Sequence, residues 1–185
     1  METDRRLPSE LSIRAIRPTD VLDLERFYAS LSEDARNARF HGATRGIEDA
    51  AARSFCGPDH AHRKGLVAVL RAAASDRSRD GGDDQPSEPI IGHLCLEPGS
   101  PGEVEMAVAV ADAWQHRGVG RALLAAAITW AEATGIERLR AEIRWSNPAI
   151  LRLLRSAERP LTLAATDDGD LEARLDIRGR VPAAA

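Results

Sequence analysis

The stretch Gln115-His116-Arg117-Gly118-Val119-Gly120-Arg121 joins an apolar run to a long run of helix-forming residues. Residues 104–111, just before it, read Val-Glu-Met-Ala-Val-Ala-Val-Ala, which is typical of a strand. Residues 119–134, just after it, contain no proline and many alanines and leucines, which favour a helix. Glycine tolerates unusual backbone dihedrals, and the N–H groups that begin a helix attract anions. The stretch therefore predicts a strand, a turn able to hold a phosphate, and a helix.

A glycine pair before a helix also occurs in turns with a purely structural role, so the surrounding pattern decides between the two interpretations. A dinucleotide-binding fingerprint is excluded because Leu123 stands where its third glycine would be. A nucleotide P-loop is excluded because no Gly-Lys-Ser/Thr follows. What remains is Gln-x-x-Gly-x-Gly, preceded by a strand that carries Glu105 and followed by an alanine-rich helix.

This pattern resembles the acyl-CoA-binding motif of the GNAT superfamily of N-acetyltransferases. Residues 12–20 resemble the family's first strand and the start of its first helix. Residues 103–124 resemble its fourth strand, pyrophosphate loop and third helix, and residues 139–154 resemble its fifth strand and fourth helix. Within the superfamily, residues 14–42 and 105–115 are most similar to bacterial protein-lysine acetyltransferase domains. The resemblance implies an α/β fold with a mixed, mostly antiparallel central sheet, a splayed strand pair and flanking helices.

Length and composition predict one domain over residues 1–185, with its core at 11–177, because 185 residues with 43% apolar content can bury a single core. The Ser-, Asp- and Gly-rich segment 74–89 predicts a mobile loop, and the residues after 177 a flexible tail. With a net charge of −4 and interspersed charges, no nucleic-acid partner is expected. No apolar run reaches the roughly 18 residues of a membrane span, and no signal-peptide core is present, so we expect a cytoplasmic protein without a membrane partner.

Hydrophobic periodicity predicts the secondary structure. The expected strands are 11–16, 66–70, 90–96, 103–111, 138–145, 160–165 and 171–177; the expected helices are 20–31, 46–55, 118–134 and 147–156, with a further helix capped by Ser32. Cys56 and Cys95 lack metal or redox spacing and are expected to be buried thiols. His60 and His62 stand in a turn without further ligands, so no metal site is predicted.

Acetyl transfer from a thioester to an amine needs a bound donor, an unprotonated amine and a stabilised oxyanion. The resemblance implies that acetyl-CoA is the cosubstrate. It also implies that the strand backbone binds the pantetheine and serves the oxyanion, and that the turn amides hold the pyrophosphate. The residues assigned in this way are Val108, Ala109 and Val110 on the strand, Gln115, His116, Arg117, Gly118, Val119, Gly120 and Arg121 in the turn, and Asn147, which contacts CoA or caps the next helix.

Glu105 is the candidate general base. An alkylammonium has a pKa near 10.4, so a carboxylate that acts directly or through water can accept its proton as the amine attacks. The alternative is a strand glutamate that faces solvent. Glu103 lies on the same strand face and is the reserve candidate, expected to be less buried. Along residues 138–145, Arg138, Arg140, Glu142 and Arg144 share one face, which predicts mutual ion pairs and a border with the acceptor cleft.

Two departures from the family pattern bear on catalysis. Leu154 stands where many relatives carry a tyrosine that protonates the departing thiolate, and Tyr28 is the only tyrosine of the chain. The Gly-Phe that usually ends this helix is replaced by Glu158-Arg159-Pro160. The leading hypothesis is direct attack by a primary amine in a ternary complex, with a protein lysine as acceptor. A small-molecule amine and a catalytically degenerate acyl-CoA-binding module remain alternatives, and the oligomeric state is left open.

Overall fold

The computed structural model describes residues 11–40, 47–71, 88–145 and 147–179. The helices are α1 Val21–Ser30, α2 Glu33–Phe40, α3 Asp49–Cys56, α4 Val119–Thr134 and α5 Pro148–Arg155. The strands are β1 Leu11–Ala15, β2 Lys64–Leu70, β3 Ile90–Pro98, β4 Glu103–Val110, β5 Arg138–Ile143, β6 Leu161–Ala165 and β7 Leu171–Asp176. Most of the predicted loop at 74–89, the start of the helix predicted from Gly46 and the tail beyond 179 lie outside the described residues.

The described strands form one seven-stranded sheet in the order β1-β2-β3-β4-β5-β7-β6. Neighbouring strands are antiparallel except for β4 and β5, which are parallel. The β4–β5 ladder is short: it begins with Glu103 opposite Arg138 and ends with Glu105 opposite Arg140. Beyond this point β4 continues to pair with β3 as far as Val110, while β5 pairs only with β7. The predicted mixed sheet with a splayed strand pair is thus confirmed.

The two sheet faces carry different helices because successive strand side chains point in opposite directions. Val104 and Met106 of β4 belong to the core cluster that includes α4 and Leu154 of α5. Ala109, from the opposite face of β4, belongs to the cluster that includes α1 and α3 and that packs against Ala35 of α2. The cleft described below therefore has α2 on one side of the sheet and α5 on the other.

Helix α4 is held between two glycines in the left-handed conformation, Gly118 (φ +86°) before it and Gly135 (φ +75°) after it. Its buried side chains recur at helical spacing: Val119, Leu123, Leu124, Ala127, Ile128 and Ala131. Burying this stripe against the sheet fixes the start of the helix, and with it the turn at residues 115–118, relative to the end of β4.

Strand β5 ends earlier than predicted. The strand expected over 138–145 stops at Ile143, after which the chain turns, with the amide of Asn147 donating to the carbonyl of Arg144 at 2.8 Å. Alternation along residues 138–145 would place Trp145 on the same side as the buried Leu139, but Trp145 is 76% exposed. The alternation fails here because pairing with β7 ends at Ile143, so no sheet face exists beyond it.

Candidate active site

A cleft of about 1070 Å³ opens where β4 and β5 separate. Its floor is formed by the end of β4, and its sides by α2, by the turn before α4 and by α5. The cleft is slightly larger than the roughly 300–1,000 Å³ usual for small-molecule sites. It is lined by Ser32, Asp34, Ala35, Asn37, Ala38, Val108, Ala109, Val110, Asp112, Gln115, His116, Gly118, Gly120, Arg121, Arg144, Asn147, Ala149, Ile150, Arg152, Leu153 and Ser156. A long, partly apolar ligand fits this shape.

The turn before α4 lies at one end of the cleft and has an unusual backbone. His116 and Gly118 both adopt left-handed dihedrals, with φ of +58° and +86°. The first intrahelical bond runs from the amide of Ala122 to the carbonyl of Gly118 at 3.0 Å. The preceding N–H groups of Val119, Gly120 and Arg121 therefore have no acceptor within the helix. Such a turn presents several amides to an anion.

The side chains of this turn divide into three groups. Gln115 donates from Nε2 to the carbonyl of Val110 at 3.2 Å, which ties the turn to the end of β4. Arg117 lies over the ring of Trp114, at 5.3 Å from its centroid, and does not line the cleft. Val119 is completely buried in the core and does not line the cleft. All the other residues predicted to bind the cosubstrate line the cleft.

Helix α2 forms a wall of the cleft that sequence reasoning did not assign. Asp112, just after β4, accepts hydrogen bonds from the amide and the hydroxyl of Ser32, at 2.9 and 2.6 Å. The same hydroxyl accepts the amide of Ala35 at 3.2 Å, which confirms the predicted cap. Burial opposes ionisation of Asp112, but the bonds from Ser32 lower its pKa below the ordinary value. This carboxylate anchors α2 beside the turn although 80 residues separate the two in sequence.

Three arginines, Arg121, Arg144 and Arg152, line the cleft. None of them forms an ion pair within the described ranges. Arg144 belongs to the polar face predicted for residues 138–145, part of which was expected to border the acceptor cleft, whereas Arg152 was not singled out. Although Asp34 and Asp112 also line the cleft, three guanidinium groups without ion pairs among the described residues suit an anionic ligand.

Glu105 lies outside the cleft lining, on the α2 side of the sheet. Its side chain is 44% exposed and forms an ion pair with Arg140. Arg140 also contacts Glu142 at 2.8 Å and Glu172 at 3.0 Å, so the predicted ion pairing along β5 is present. Burial acts to lower the pKa of Arg140, but its bonds to Glu142 and Glu172 raise that pKa above the ordinary value.

The burial of Glu103 differs from the prediction. It was expected to be less buried than Glu105, but its side chain is only 5% exposed, and its Oε2 contacts Arg174 at 3.1 Å and Arg138 at 3.4 Å. Glu103 stands at the start of the β4–β5 ladder, where Arg138 and Arg174 cover its carboxylate, whereas Glu105 is the last residue of that ladder and lies next to the splay. A buried carboxylate held by two cations is poorly placed to accept a proton from a substrate.

The family model of the acetyltransferase (GNAT) family matches residues 80–157, which include the splayed strand, the turn and α5. The matched segment, residues 80–157, is that of a GNAT acetyltransferase domain. The predicted family and the predicted enzyme class, an acetyl-CoA-dependent N-acetyltransferase, are thereby confirmed.

Solved structures share the fold. The GNAT domain of PAT from S. lividans has a TM-score of 0.73 and 24% identity, over 95% of this chain and 99% of that one. The structure of yncA from Salmonella typhimurium, with its cofactor acetyl-CoA, has a TM-score of 0.67 and 17% identity, over 96% and 97%. The ribosomal-protein-S18-alanine N-acetyltransferase of Escherichia coli has a TM-score of 0.58 and 20% identity, over 90% and 94%. None of the curated proteins matches the sequence.

The GNAT domain lacks a tyrosine in its cleft within the described residues. Leu154 is 1% exposed and packs in the core that includes α4. Tyr28 is completely buried in the other core, where its hydroxyl bonds to Nδ1 of His93 at 2.8 Å. Burial, opposed by the positive charge of Arg39, raises the pKa of Tyr28 to about 12. Tyr28 therefore does not take over the role of the missing family tyrosine.

Asn147 stands at the N-cap position of α5, but its side chain makes no capping hydrogen bond. The residue lines the cleft. Of the two roles predicted for this residue, capping through the side chain is thus wrong. The helix start is supported by Pro148, whose missing N–H costs nothing at that position.

The turn after α5 contains a residue with a glycine-like backbone conformation. Glu158 has a φ of +53°, a left-handed conformation that an L residue with a side chain adopts at a cost. Helices often end with a residue in this conformation, and that residue is usually glycine.

Three further findings hold for the described ranges of the chain. None of the described helices is long and apolar enough to cross a membrane. No group of three or more His, Cys, Asp or Glu side chains within those ranges is arranged to hold a metal ion. Cys56 and Cys95 are free and buried, as the sequence predicted.

Proposed function

We propose that the protein transfers the acetyl group of acetyl-CoA to the side-chain amine of a protein lysine by direct attack in a ternary complex. The observation that carries the proposal is the cleft between β4 and β5, which ends at a turn with left-handed dihedrals at His116 and Gly118. The resemblance of residues 14–42 and 105–115 to bacterial protein-lysine acetyltransferase domains supports the acceptor.

One end of the cleft suits the phosphates of acetyl-CoA, and the other end suits its pantetheine and thioester. At the turn, the free amides of Val119, Gly120 and Arg121 would bind the pyrophosphate, and the arginine side chains that line the cleft would add attraction to the phosphates. At Val108 the splay from β5 leaves backbone N–H and C=O groups without a partner strand on that side. These groups would bind the pantetheine amides and orient the thioester.

Glu105 would accept the proton of the amine through water. It lies three residues before Val108, which is about 10 Å along an extended strand, too far for direct contact with an amine at that position. Its carboxylate lies on the same side of the sheet as α2, and the splay lets water reach it. A water relay satisfies the geometric requirement of general base catalysis.

The departing thiol would leave as the thiolate, since the described cleft presents no tyrosine to protonate it. A thiol with a pKa of about 8.5 is an adequate leaving group without such help. The same observation favours a second candidate function, a binding module that holds acyl-CoA without turnover. In that case the replacement of the family tyrosine by Leu154 would account for the absence of turnover.

Thiol release from acetyl-CoA in the presence of amines distinguishes the acetyltransferase from the binding module. The acceptor panel contains lysine peptides, the same peptides with acetylated lysine, and small primary amines, and mass spectrometry locates the acetyl group. Release that depends on a free lysine side chain is expected. Release only with small amines would refute the lysine acceptor. Binding of acetyl-CoA without release in any arm would favour the binding module.

A pair of glycine variants tests the binding turn separately. Gly118→Ala and Gly135→Ala each place a side chain at a left-handed position at opposite ends of α4, and nothing crowds Gly135 within 4 Å. Both should lose about 1–2 kcal/mol of stability. Only Gly118→Ala should also lose the stabilisation that acetyl-CoA provides in thermal unfolding. Equal stabilisation of both variants by acetyl-CoA would contradict the assigned turn.

A further inference from the structure

The side chain of Asn37 borders the cleft with an unsatisfied hydrogen-bond acceptor. Its Oδ1 has less than 1 Å² exposed to solvent and no hydrogen-bond partner. It lies on α2, and the other residues of this wall are Ser32, Asp34, Ala35 and Ala38. A buried polar atom without a partner costs free energy, so this oxygen is poised for a donor that arrives with a ligand.

Two contacts fix where along the cleft Asn37 lies. Near the start of α2, Ser32 bonds to Asp112, just beyond the end of β4. Near its end, Arg39 donates to Sγ of Cys95 at 3.1 Å, and Cys95 is the strand partner of Ala107. Asn37 stands between these anchors. It is therefore level with the stretch from Val108 to Val110, where the thioester end of the donor would lie.

Asn37 also lies on the side of the sheet from which the amine must approach. Residues 105, 107 and 109 of β4 point to one face, and Ala109 packs in the cluster that contacts α2. The carboxylate of Glu105 is on this same face. An amine that delivers its proton towards Glu105 must enter under α2, and it would pass the free oxygen of Asn37.

We propose that Asn37 is an acceptor-binding residue: its side chain turns into the cleft that the residue lines, and its Oδ1, covered before this rotation, takes a hydrogen bond from the nitrogen of the attacking amine. The amide oxygen holds one N–H of the amine, which turns the nitrogen lone pair towards the thioester carbon at Val108. Proton removal towards Glu105 proceeds through water from another N–H. The inference rests on the proposed function, because it requires an amine substrate.

Two variants of nearly the same shape test it. Asn37→Leu removes the acceptor oxygen, and Asn37→Asp keeps oxygen acceptors at the same place. Asn37→Leu should fold at least as stably as the wild type, because it removes an unsatisfied polar atom. Its kcat/KM for the amine should fall roughly 10-fold to 100-fold, the range for a lost hydrogen bond to a charged or polar group. The Kd for acetyl-CoA, measured by calorimetry, should stay unchanged.

Asn37→Asp should keep a KM for the amine equal to or below that of the wild type, since its carboxylate accepts from the same donor. A Kd for acetyl-CoA that rises in Asn37→Leu while the amine KM stays constant would overturn the inference, because the oxygen would then serve the pantetheine amide. Unchanged kinetics in Asn37→Leu would overturn it too. A wild-type enzyme that releases no thiol with any amine refutes the proposed function instead, so the two failures are distinguishable.

Discussion

Replacing Glu105 with glutamine separates its proposed role as a base from its role as an ion-pair partner. The chain offers a matched control in Glu142, which pairs with the same Arg140 and has a similar exposed fraction, 48% against 44%. In each variant Arg140 keeps Glu172 and one other carboxylate. Because partly exposed ion pairs contribute about 0–1 kcal/mol, both variants should unfold within about 4 °C of the wild type.

Catalysis should tell the two glutamates apart. Loss of a general base lowers the rate about 10²- to 10⁴-fold, so Glu105→Gln should lose that much kcat. Glu142→Gln should keep a kcat near the wild-type value. Thiol release at saturating acetyl-CoA measures both, with thermal unfolding as the fold control. An undiminished kcat in Glu105→Gln would refute the base, and an equal fall in both variants would assign the effect to the charge cluster instead.

Two further predictions follow from strained or buried groups. Glu158→Gly should stabilise the protein by about 1 kcal/mol, since glycine adopts a φ of +53° without strain. Its Tm should therefore rise by roughly 2–4 °C. A lower Tm would show that the glutamate side chain stabilises the fold by more than its backbone strain costs. Tyr28→Phe should cost about 1–3 kcal/mol because it leaves Nδ1 of buried His93 without its partner, yet kcat well below the unfolding temperature should not change. A large loss of kcat in a folded Tyr28→Phe enzyme would make Tyr28 part of the catalytic machinery after all.

Most elements follow from local patterns in the sequence. The strand before the turn and helix α4 were predicted to within a residue or two, because alternation, alanine content and the glycines at 118 and 135 act over short distances. The end of β5 was not, because strand length depends on a partner strand, and β7 stops pairing at Ile143. The exposure of Trp145 is the direct consequence.

The sequence by itself determined the turn at 115–121, the strand that enters it and the helix that leaves it, since each depends on neighbouring residues. Only the tertiary structure decided which side chains surround that turn. It brought Asn37 of α2 into the cleft that Val108 lines, about 70 positions later in the chain, and tied the cap of that helix, Ser32, to Asp112. It also buried Glu103 between Arg138 and Arg174 and left Glu105 partly exposed next to the splay. The physical reason is that burial and ion pairing depend on contacts between distant segments, which no local pattern encodes.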